Sequence, residues 1–420
     1  MQILSIIIFL AVIIAIVTEK IHRTAAAVCG AVLLLLTHIL TVDKAVGYID
    51  FNTIGVLIGM MLFVAIVKNS GIFEYVAIKA AKLAHGDPWK IMMAFIVLTA
   101  VLSAFLDNVT TVLLIGPMTI AITRMLKVDP VPFLMTQILA SNIGGTATLI
   151  GDPPNIMIGS AAGFSFMDFI THTGLVAVVI LAVLIIIMKL VYGRHLKADS
   201  AAIRQVMMLD EKKAISDVAL MKKSTVMIIL VAAGFVIHSS LGIESSTVAL
   251  TAAAVMMVIG RQNVEHTVQE VEWTTILFFV GLFIVVGGLN ETGVIGKLAD
   301  LIITGTDGHA ILTMLVLLWG SALLSSVLDN IPFVATLIPL ILVMGKGGMD
   351  TEPLWWAISL GACLGGNGTL IGASANVVLS GISSKQGYPI TFRSFFKVGF
   401  PVMAASVAVA TVYLLLKYAV

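Results

Sequence analysis

The sequence predicts an all-α polytopic membrane protein made of two inverted repeats, each with a re-entrant helical hairpin and a broken transmembrane helix. Three observations predict this class. Of the 420 residues, 59% are hydrophobic and only 11% are charged, whereas about a quarter of a soluble domain is charged. Apolar segments of about 20 residues, the length that crosses a hydrocarbon core of roughly 30 Å, recur along the chain. The two halves also match each other at a constant spacing.

The apolar segments define the spans. The first, at residues 2–17, lacks a basic flank and a small-residue cleavage site, so we expect a retained transmembrane helix and not a signal peptide. With two apolar but interrupted regions, 90–164 and 309–383, the expected number of spanning segments is about 10–11. The clear spans are expected at residues 2–17, 24–41, 52–67, 172–191, 224–240, 246–260, 273–289 and 396–418.

Internal similarity divides the chain. Asp107-Asn108 matches Asp329-Asn330 at a shift of 222 residues, and GGTATLIGDPPN (144–155) matches GGNGTLIGASAN (365–376) at a shift of 221. The predicted organisation is a first transmembrane half at 1–191 with its repeat at 51–170, a cytoplasmic linker at 192–223, and a second half at 224–420 with its repeat at 272–395. Amphipathic stretches at 72–84 and 291–303 are expected to be interfacial helices.

Positive charge sets the predicted orientation. With the linker in the cytoplasm, all but four of the 24 Lys and Arg residues fall on the cytoplasmic side. The segment at 52–67 then runs inward and the segment at 273–289 runs outward, so the repeats are inverted. We expect a multi-pass protein of the cell inner (plasma) membrane with its N-terminus outside.

Polar residues interrupt the apolar sequence at four equivalent places: two hairpin tips, near 107–111 and 329–332, and two unwound helix centres, 144–155 and 365–376. Inverted repeats with broken helices are typical of secondary transporters, whose binding sites lie near the bilayer midplane. The predicted substrate- and ion-binding residues are Asp107, Asn108, Thr110, Thr111, Gly145, Thr146, Thr148, Asp152, Asn155, Asp329, Asn330, Gly366, Asn367, Thr369, Ser374 and Asn376.

These four polar interruptions, called here the polar islands, contain three carboxylates: Asp107, Asp152 and Asp329. No Lys or Arg lies beside them in the sequence. Burial without a cationic partner disfavours the charged form, so each is expected to carry a proton reversibly or to bind a hard cation. Sodium would sit at Asp107, Asn108, Asp329 and Asn330. An alternative for Asp107 and Asp329 is a helix N-cap. Because Asp152-Pro153-Pro154 becomes Ala373-Ser374-Ala375 in the second half, the first-half site is expected to be the more acidic.

Other classes of protein find less support. No catalytic constellation lies at membrane depth, which argues against an enzyme, and the net charge of +1 predicts no nucleic-acid partner. Cys29 and Cys363 lie in separate apolar segments, so neither a disulfide nor a metal site is expected, and no cofactor is predicted beyond a coupling H⁺ or Na⁺. A channel with a duplicated selectivity filter is the alternative, although re-entrant hairpins from opposite sides favour alternating access.

The motifs FLDNVTTVLL and SNIGGTATLIGDPPNIMI resemble the ion transporter superfamily, in the arm that holds arsenite-efflux permeases of the ArsB type, NhaD-type sodium/proton antiporters and the melanosomal P protein. The resemblance covers nearly the whole chain. It implies an elevator-like motion of a transport domain against a scaffold, and a homodimer through that scaffold. Dicarboxylate relatives carry Ser-Asn-Thr at the tips, where this chain has Asp-Asn, a departure that favours proton coupling.

The residues of the polar islands indicate the transported substrate, or cargo, less directly than they indicate the binding site. Acids, amides and hydroxyls without a cation favour a small neutral inorganic substrate, so we expect proton-coupled efflux of arsenite or antimonite, with a soluble ATPase subunit as partner if the chain serves an arsenite pump. Sodium/proton antiport and sodium- or proton-coupled anion or carboxylate transport are the alternatives.

Overall fold

A computed structural model of the chain describes residues 1–18, 20–193 and 196–419. Within these ranges the chain forms 22 α-helices and no strand. The first half contains α1 (Gln2–Thr18), α2 (Arg23–Leu36), α3 (Val42–Gly47), α4 (Phe51–Lys68), α5 (Ile72–Leu83), α6 (Pro88–Phe105), α7 (Asn108–Met125), α8 (Val131–Thr146), α9 (Pro153–Ala162), α10 (Phe166–Phe169) and α11 (Leu175–Tyr192). A π-helical turn, Ile170–Gly174, joins the last two.

The second half follows a short helix, α12 (Ser200–Met207), and a 3₁₀ turn at Glu211–Ala214. Its helices are α13 (Val218–Ile237), α14 (Ser245–Gly260), α15 (Val264–Gln269), α16 (Trp273–Glu291), α17 (Val294–Gly305), α18 (Ala310–Ser325), α19 (Asn330–Lys346), α20 (Glu352–Gly365), α21 (Ser374–Lys385) and α22 (Phe392–Tyr418).

The spans agree with the sequence. Each of the eight clear predicted spans coincides with one helix: α1, α2, α4, α11, α13, α14, α16 and α22. Among the described residues, seven helices are long and apolar enough to cross a membrane, and shorter apolar helices include α1, α2, α14 and α19. The protein is therefore a multi-pass, all-helical membrane protein.

The duplication is visible in the packing of the outer helices. Helix α4 packs closely on α14, and its counterpart α16 packs on α2. A methyl group built on Gly59 would lie 2.5 Å from the carbonyl carbon of Ala249, and one on Gly281, its counterpart at a shift of 222, would lie 2.7 Å from that of Ala27. Main chains approach this closely only where one helix lacks a side chain.

The core lies around α8 and α20, the incoming arms of the two broken helices, which are buried almost throughout. Helix α8 packs against the hairpin formed by α6 and α7, and α20 packs against α18 and α19. Each hairpin tip thus meets the helix break of its own half.

One glycine in each half, called here the hinge glycine, follows the outer helix α4 or α16 and leads through the next helix, α5 or α17, towards the inner hairpin. Gly71 between α4 and α5 has φ +79°, and Gly293 between α16 and α17 has φ +75°, which glycine adopts without steric cost. The carbonyl just before each hinge glycine accepts a hydrogen bond from outside the repeat. The Ser216 amide donates to Ser70 (3.0 Å), and the Gln2 side chain donates to Thr292 (2.8 Å).

The unwound stretches are shorter than the sequence predicted. Helices α7 and α19 begin at Asn108 and Asn330, so Thr110, Thr111 and Pro332 are helical. The breaks span only 147–152 and 366–373, and α9 already begins at Pro153, because proline suits the first turn of a helix. Within the predicted linker, α12 is helical and α13 already begins at Val218.

Candidate functional site

Four helix N-termini converge in the middle of the protein. They belong to α7 and α9 of the first half and α19 and α21 of the second, and their N-cap residues are Asp107, Asp152, Asp329 and Ala373. A helix N-terminus carries roughly +0.5 elementary charge, so the arrangement places acidic side chains among positive dipole ends. The central space between them, about 50 Å³, is lined by Arg23, Leu57, Met61, Asp107, Asn108, Val109, Asp152, Pro153, Glu272, Thr275, Asn330, Ile331, Ala373, Ser374 and Ala375.

The first tip is ordered by its own polar residues. Asp107 accepts a hydrogen bond from the Thr110 amide (2.9 Å) and another from the Thr110 hydroxyl, which is N-cap geometry. The Asn108 amide, oriented by its surroundings, donates to the carbonyls of Ser141 (3.0 Å) and Gly151 (3.2 Å). Asp107 is therefore a helix cap whose carboxylate also faces the central space.

One asparagine in each half bridges the break. Asn155 donates to the carbonyls of Gly145 (3.2 Å) and Thr148 (2.9 Å). In the same way, Asn376 donates to those of Gly366 (2.7 Å) and Thr369 (3.0 Å). Carbonyls released from a helix inside a membrane need such internal donors.

In each half, one threonine connects the helix break to the hairpin of the same half. The Thr148 hydroxyl donates to the carbonyl of Ala104, and the Thr369 hydroxyl donates to that of Ser326 (2.5 Å). The Thr111 hydroxyl is buried with no hydrogen-bond partner among the described residues. Most predicted polar residues therefore hold the backbone behind the central space.

The two halves also bond to each other through side chains that the sequence did not single out. Asn142 of α8 donates to Asn367 (2.9 Å) and Asn376 (3.1 Å), and Ser359 of α20 donates to Asn155 (2.7 Å). Asn142 and Ser359 lie on buried helices. The sequence feature that could have identified them is a polar residue inside an apolar helix, and Asn142 lies only two residues before Gly144.

Asp152 and Asn330 join the halves at the central space itself. The Asn330 amide donates to the two carboxylate oxygens of Asp152 at 3.2 and 3.4 Å. Both side chains are buried. The first break and the second tip, predicted to be neighbours, are thus in direct contact.

The expectation that no cation reaches the islands is wrong. The Arg23 guanidinium, at the start of α2, donates to Asp329 (3.0 Å) and Ser374 (2.7 Å). It also lies over the Phe278 ring, 5.3 Å from its centroid. Sequence neighbours could not reveal this pair, because 306 residues separate its members. Glu272, the N-cap of α16, is a second charged residue of the site that the sequence analysis missed.

Of the sixteen predicted residues, five line the central space: Asp107, Asn108, Asp152, Asn330 and Ser374. Asp329 lines a larger cavity next to it. Thr110 caps α7 with Asp107. The remaining nine are Thr111, Gly145, Thr146, Thr148, Asn155, Gly366, Asn367, Thr369 and Asn376, and they lie behind the space in α7 and at the two breaks.

Comparison with known proteins identifies the family. Residues 13–361 match the CitMHS family model, described as a citrate transporter. An uncharacterized transporter of Mycobacterium tuberculosis is 43% identical and aligned over 100% of this chain and 99% of its own length. The human P protein is 33% identical over 96% of this chain and 58% of its own length. The YdaH transporter of Alcanivorax borkumensis shares the fold, with a TM-score of 0.62 at 15% identity and coverage of 100% and 98% of the two chains. The chain is therefore a membrane transporter of the CitMHS family, within the ion transporter superfamily that its motifs resemble.

Proposed function

We propose that this transporter moves a small carboxylate anion together with protons by alternating access. The observation that carries the proposal is the Arg23–Asp329 ion pair beside the convergent helix N-termini. Cargo recognition by a guanidinium and by helix dipoles suits an anion. The family model that the chain matches is described as a citrate transporter, which agrees with a carboxylate.

Charge balance supports coupling to protons. The site holds Asp107, Asp152, Asp329 and Glu272 against the single cation Arg23. An anion that approached four ionised carboxylates would be repelled. Protonation of Asp329 releases the guanidinium, and the cargo carboxylate can then take the place of Asp329 as its partner. The cargo carboxylate that pairs with Arg23 therefore enters together with one proton, the one on Asp329. Sodium at Asp107, Asn108, Asp329 and Asn330 is the alternative coupling ion.

The position of the site supports alternating access of the elevator type. The central space lies beside the middle of α4, at Leu57 and Met61, but beside the first turn of α16, at Glu272 and Thr275. If each repeat adopted the conformation of the other, the site would instead lie near the start of α4 and beside the middle of α16. The observed position of the site therefore corresponds to one of the two end states of the transport cycle. With the linker in the cytoplasm and the N-terminus outside, as its charges predict, this state faces the cytoplasm.

Vesicles of purified protein test the cargo. We expect at least one labelled carboxylate from the set citrate, succinate and octanoate to accumulate when an inward-directed proton gradient is imposed, and Arg23→Gln to abolish this uptake. Arg393→Gln, at an exposed arginine, is the matched control and should transport normally. Uptake by Arg23→Gln at the unmodified rate would refute the proposed role of the guanidinium.

Arsenite or antimonite efflux by proton antiport is the second candidate. The observation that favours it is the size of the central space, about 50 Å³, which suits a small neutral hydroxylated solute held by amides and carboxyl groups. In the same vesicles, arsenite would dissipate the proton gradient and citrate would not. Collapse of the gradient by sodium alone would instead indicate sodium/proton antiport.

A further inference from the structure

A large cavity adjoins the central space on the side of the second half. Its volume is about 570 Å³, and it lies between α1, the second hairpin tip, α19 and α21. The two spaces share Arg23, Ala373 and Ser374 along their walls. A volume of this size holds an organic molecule of tens of atoms, whereas the central space holds only a few.

The walls of this cavity are aliphatic and aromatic, and Ile13, Phe333 and Val378 are representative. Its polar groups lie at one end: His22 lines the cavity next to Arg23, and Arg23, Asp329 and Ser374 bond to one another at 2.7–3.0 Å. The Thr336 hydroxyl is already used by the carbonyl of Pro332 (2.9 Å). The cavity therefore offers one permanently cationic group, the Arg23 guanidinium, with the His22 imidazole at the same end of an apolar chamber.

We propose that the cavity selects anions with a single carboxylate head and an apolar body, such as medium-chain monocarboxylates. This rests on the proposed function and narrows its substrate class. A single guanidinium pairs with one carboxylate, which enters as the partner of Arg23 in place of Asp329. A second or third carboxylate, as in succinate or citrate, would be buried against apolar walls without a partner, which is strongly unfavourable. Each buried methylene, in contrast, strengthens binding about fourfold.

The test is calorimetric titration of the purified full-length protein in nanodiscs of zwitterionic lipid, with acetate, butyrate, hexanoate, octanoate, succinate and citrate. We expect the dissociation constant to fall about fourfold per added methylene up to the capacity of the cavity, and both polycarboxylates to bind more weakly than octanoate. Tighter binding of citrate than octanoate, or no dependence on chain length, would overturn the proposal.

Substitutions in the cavity wall test whether the acids bind in this cavity. Val378→Phe fills the apolar chamber and should weaken octanoate binding by tenfold or more while acetate binding is retained, and Arg23→Gln should weaken both. Val258→Phe, at a side chain that is 78% exposed, is the matched control and should bind like the unmodified protein. An equal loss for all acids in Val378→Phe would contradict selection by the chamber.

An anionic membrane lipid also combines a negatively charged head with an apolar body. Varying the lipid composition of the nanodiscs distinguishes binding of such a lipid from binding of the free acid. Octanoate binding that persists when anionic phospholipid is added to the nanodiscs supports the free acid as occupant. Its complete displacement assigns the cavity to lipid and overturns the proposal. Arg23-dependent citrate uptake without chain-length dependence would defeat this inference alone, whereas octanoate binding without gradient-driven uptake of any anion would defeat the proposed function alone.

Discussion

Asn142 of the first half donates a hydrogen bond to Asn376 of the second half at 3.1 Å. Its repeat counterpart Cys363 donates to Asn155, the counterpart of Asn376, at 3.5 Å. Each helix break is therefore supported from the incoming helix of the other half. The two inverted copies stabilise one another at their least regular points, although the bonding groups are an amide in one direction and a thiol in the other.

This relationship predicts the cost of removing one bridging amide. Asn376→Ala leaves the carbonyls of Gly366 and Thr369 and the Asn142 amide short of partners in the interior. Because buried polar groups without partners are costly, we expect a loss of about 2–4 kcal/mol in folding free energy, measured as a lower Tm in detergent. Ser384→Ala, at an exposed position of the same helix, should leave the Tm unchanged. Equal melting of the two variants would show that Asn376 is dispensable.

Asp107 caps α7, and we propose that its carboxylate also takes part in proton coupling; substitution can separate the two roles. Asn caps a helix as well as Asp does, so Asp107→Asn should keep the Tm and abolish proton-coupled transport. Asp107→Ala removes the cap as well, and we expect it to lower stability by about 1 kcal/mol in addition. Parallel measurements of melting and of gradient-driven uptake check this. Normal uptake by Asp107→Asn would remove the carboxylate from the coupling mechanism.

The closely packed pairs of outer helices predict a sharp dependence on glycine. In Gly59→Ala and Gly281→Ala, the added methyl group would meet main-chain atoms of the partner helix, which cannot rotate away as a side chain would. We expect each to cost about 1–3 kcal/mol. Gly320→Ala, within α18, meets nothing within 4 Å and should be neutral or stabilise by up to about 1 kcal/mol. The Tm of Gly59→Ala and of Gly281→Ala should therefore lie below that of the unmodified protein, whereas the Tm of Gly320→Ala should equal or exceed it. A Gly59→Ala variant with an unchanged Tm would contradict the close approach of α4 and α14.

The linker should respond to acid. Lys82 donates to Glu211 at 2.5 Å, and this hydrogen bond holds the pKa of the Glu211 carboxyl below its ordinary value of 4.5. Since the folded-state pKa is depressed, the contact stabilises the linker above the ordinary pKa and is lost as pH falls through the depressed value. The protection factors of the amides around Glu211–Ala214, which are exchange rates corrected for the intrinsic rate at each pH, should fall on acidification below pH 4.5.

Glu211→Gln is the control for this effect. It should show low protection factors in the linker already at neutral pH and little further change in acid. A pH response that is the same in the variant would show that another group controls the linker.

Much of the fold followed from local sequence. Hydrophobic length placed a helix at each of the eight clear predicted spans, and five of these helices are long and apolar enough to cross a membrane. Self-matching at shifts of 221 and 222 residues located both tips and both breaks, because the two copies share the same folding requirements. The ends of the breaks were less predictable: Gly145 and Thr146, predicted to lie in an unwound stretch, are helical, although glycine and threonine are weak helix formers.

The sequence by itself determined that this is a duplicated, helical membrane protein with acids and amides at four equivalent interruptions, because composition, periodicity and repetition are properties of the chain alone. Only the tertiary structure decided which groups face each other: Arg23 with Asp329, Asn330 with Asp152 and Asn142 with Asn376. The physical reason is distance. A hydrogen bond, including the one within the Arg23–Asp329 pair, needs its donor and acceptor about 3 Å apart, and residues separated by hundreds of positions reach that distance only when the two halves have packed.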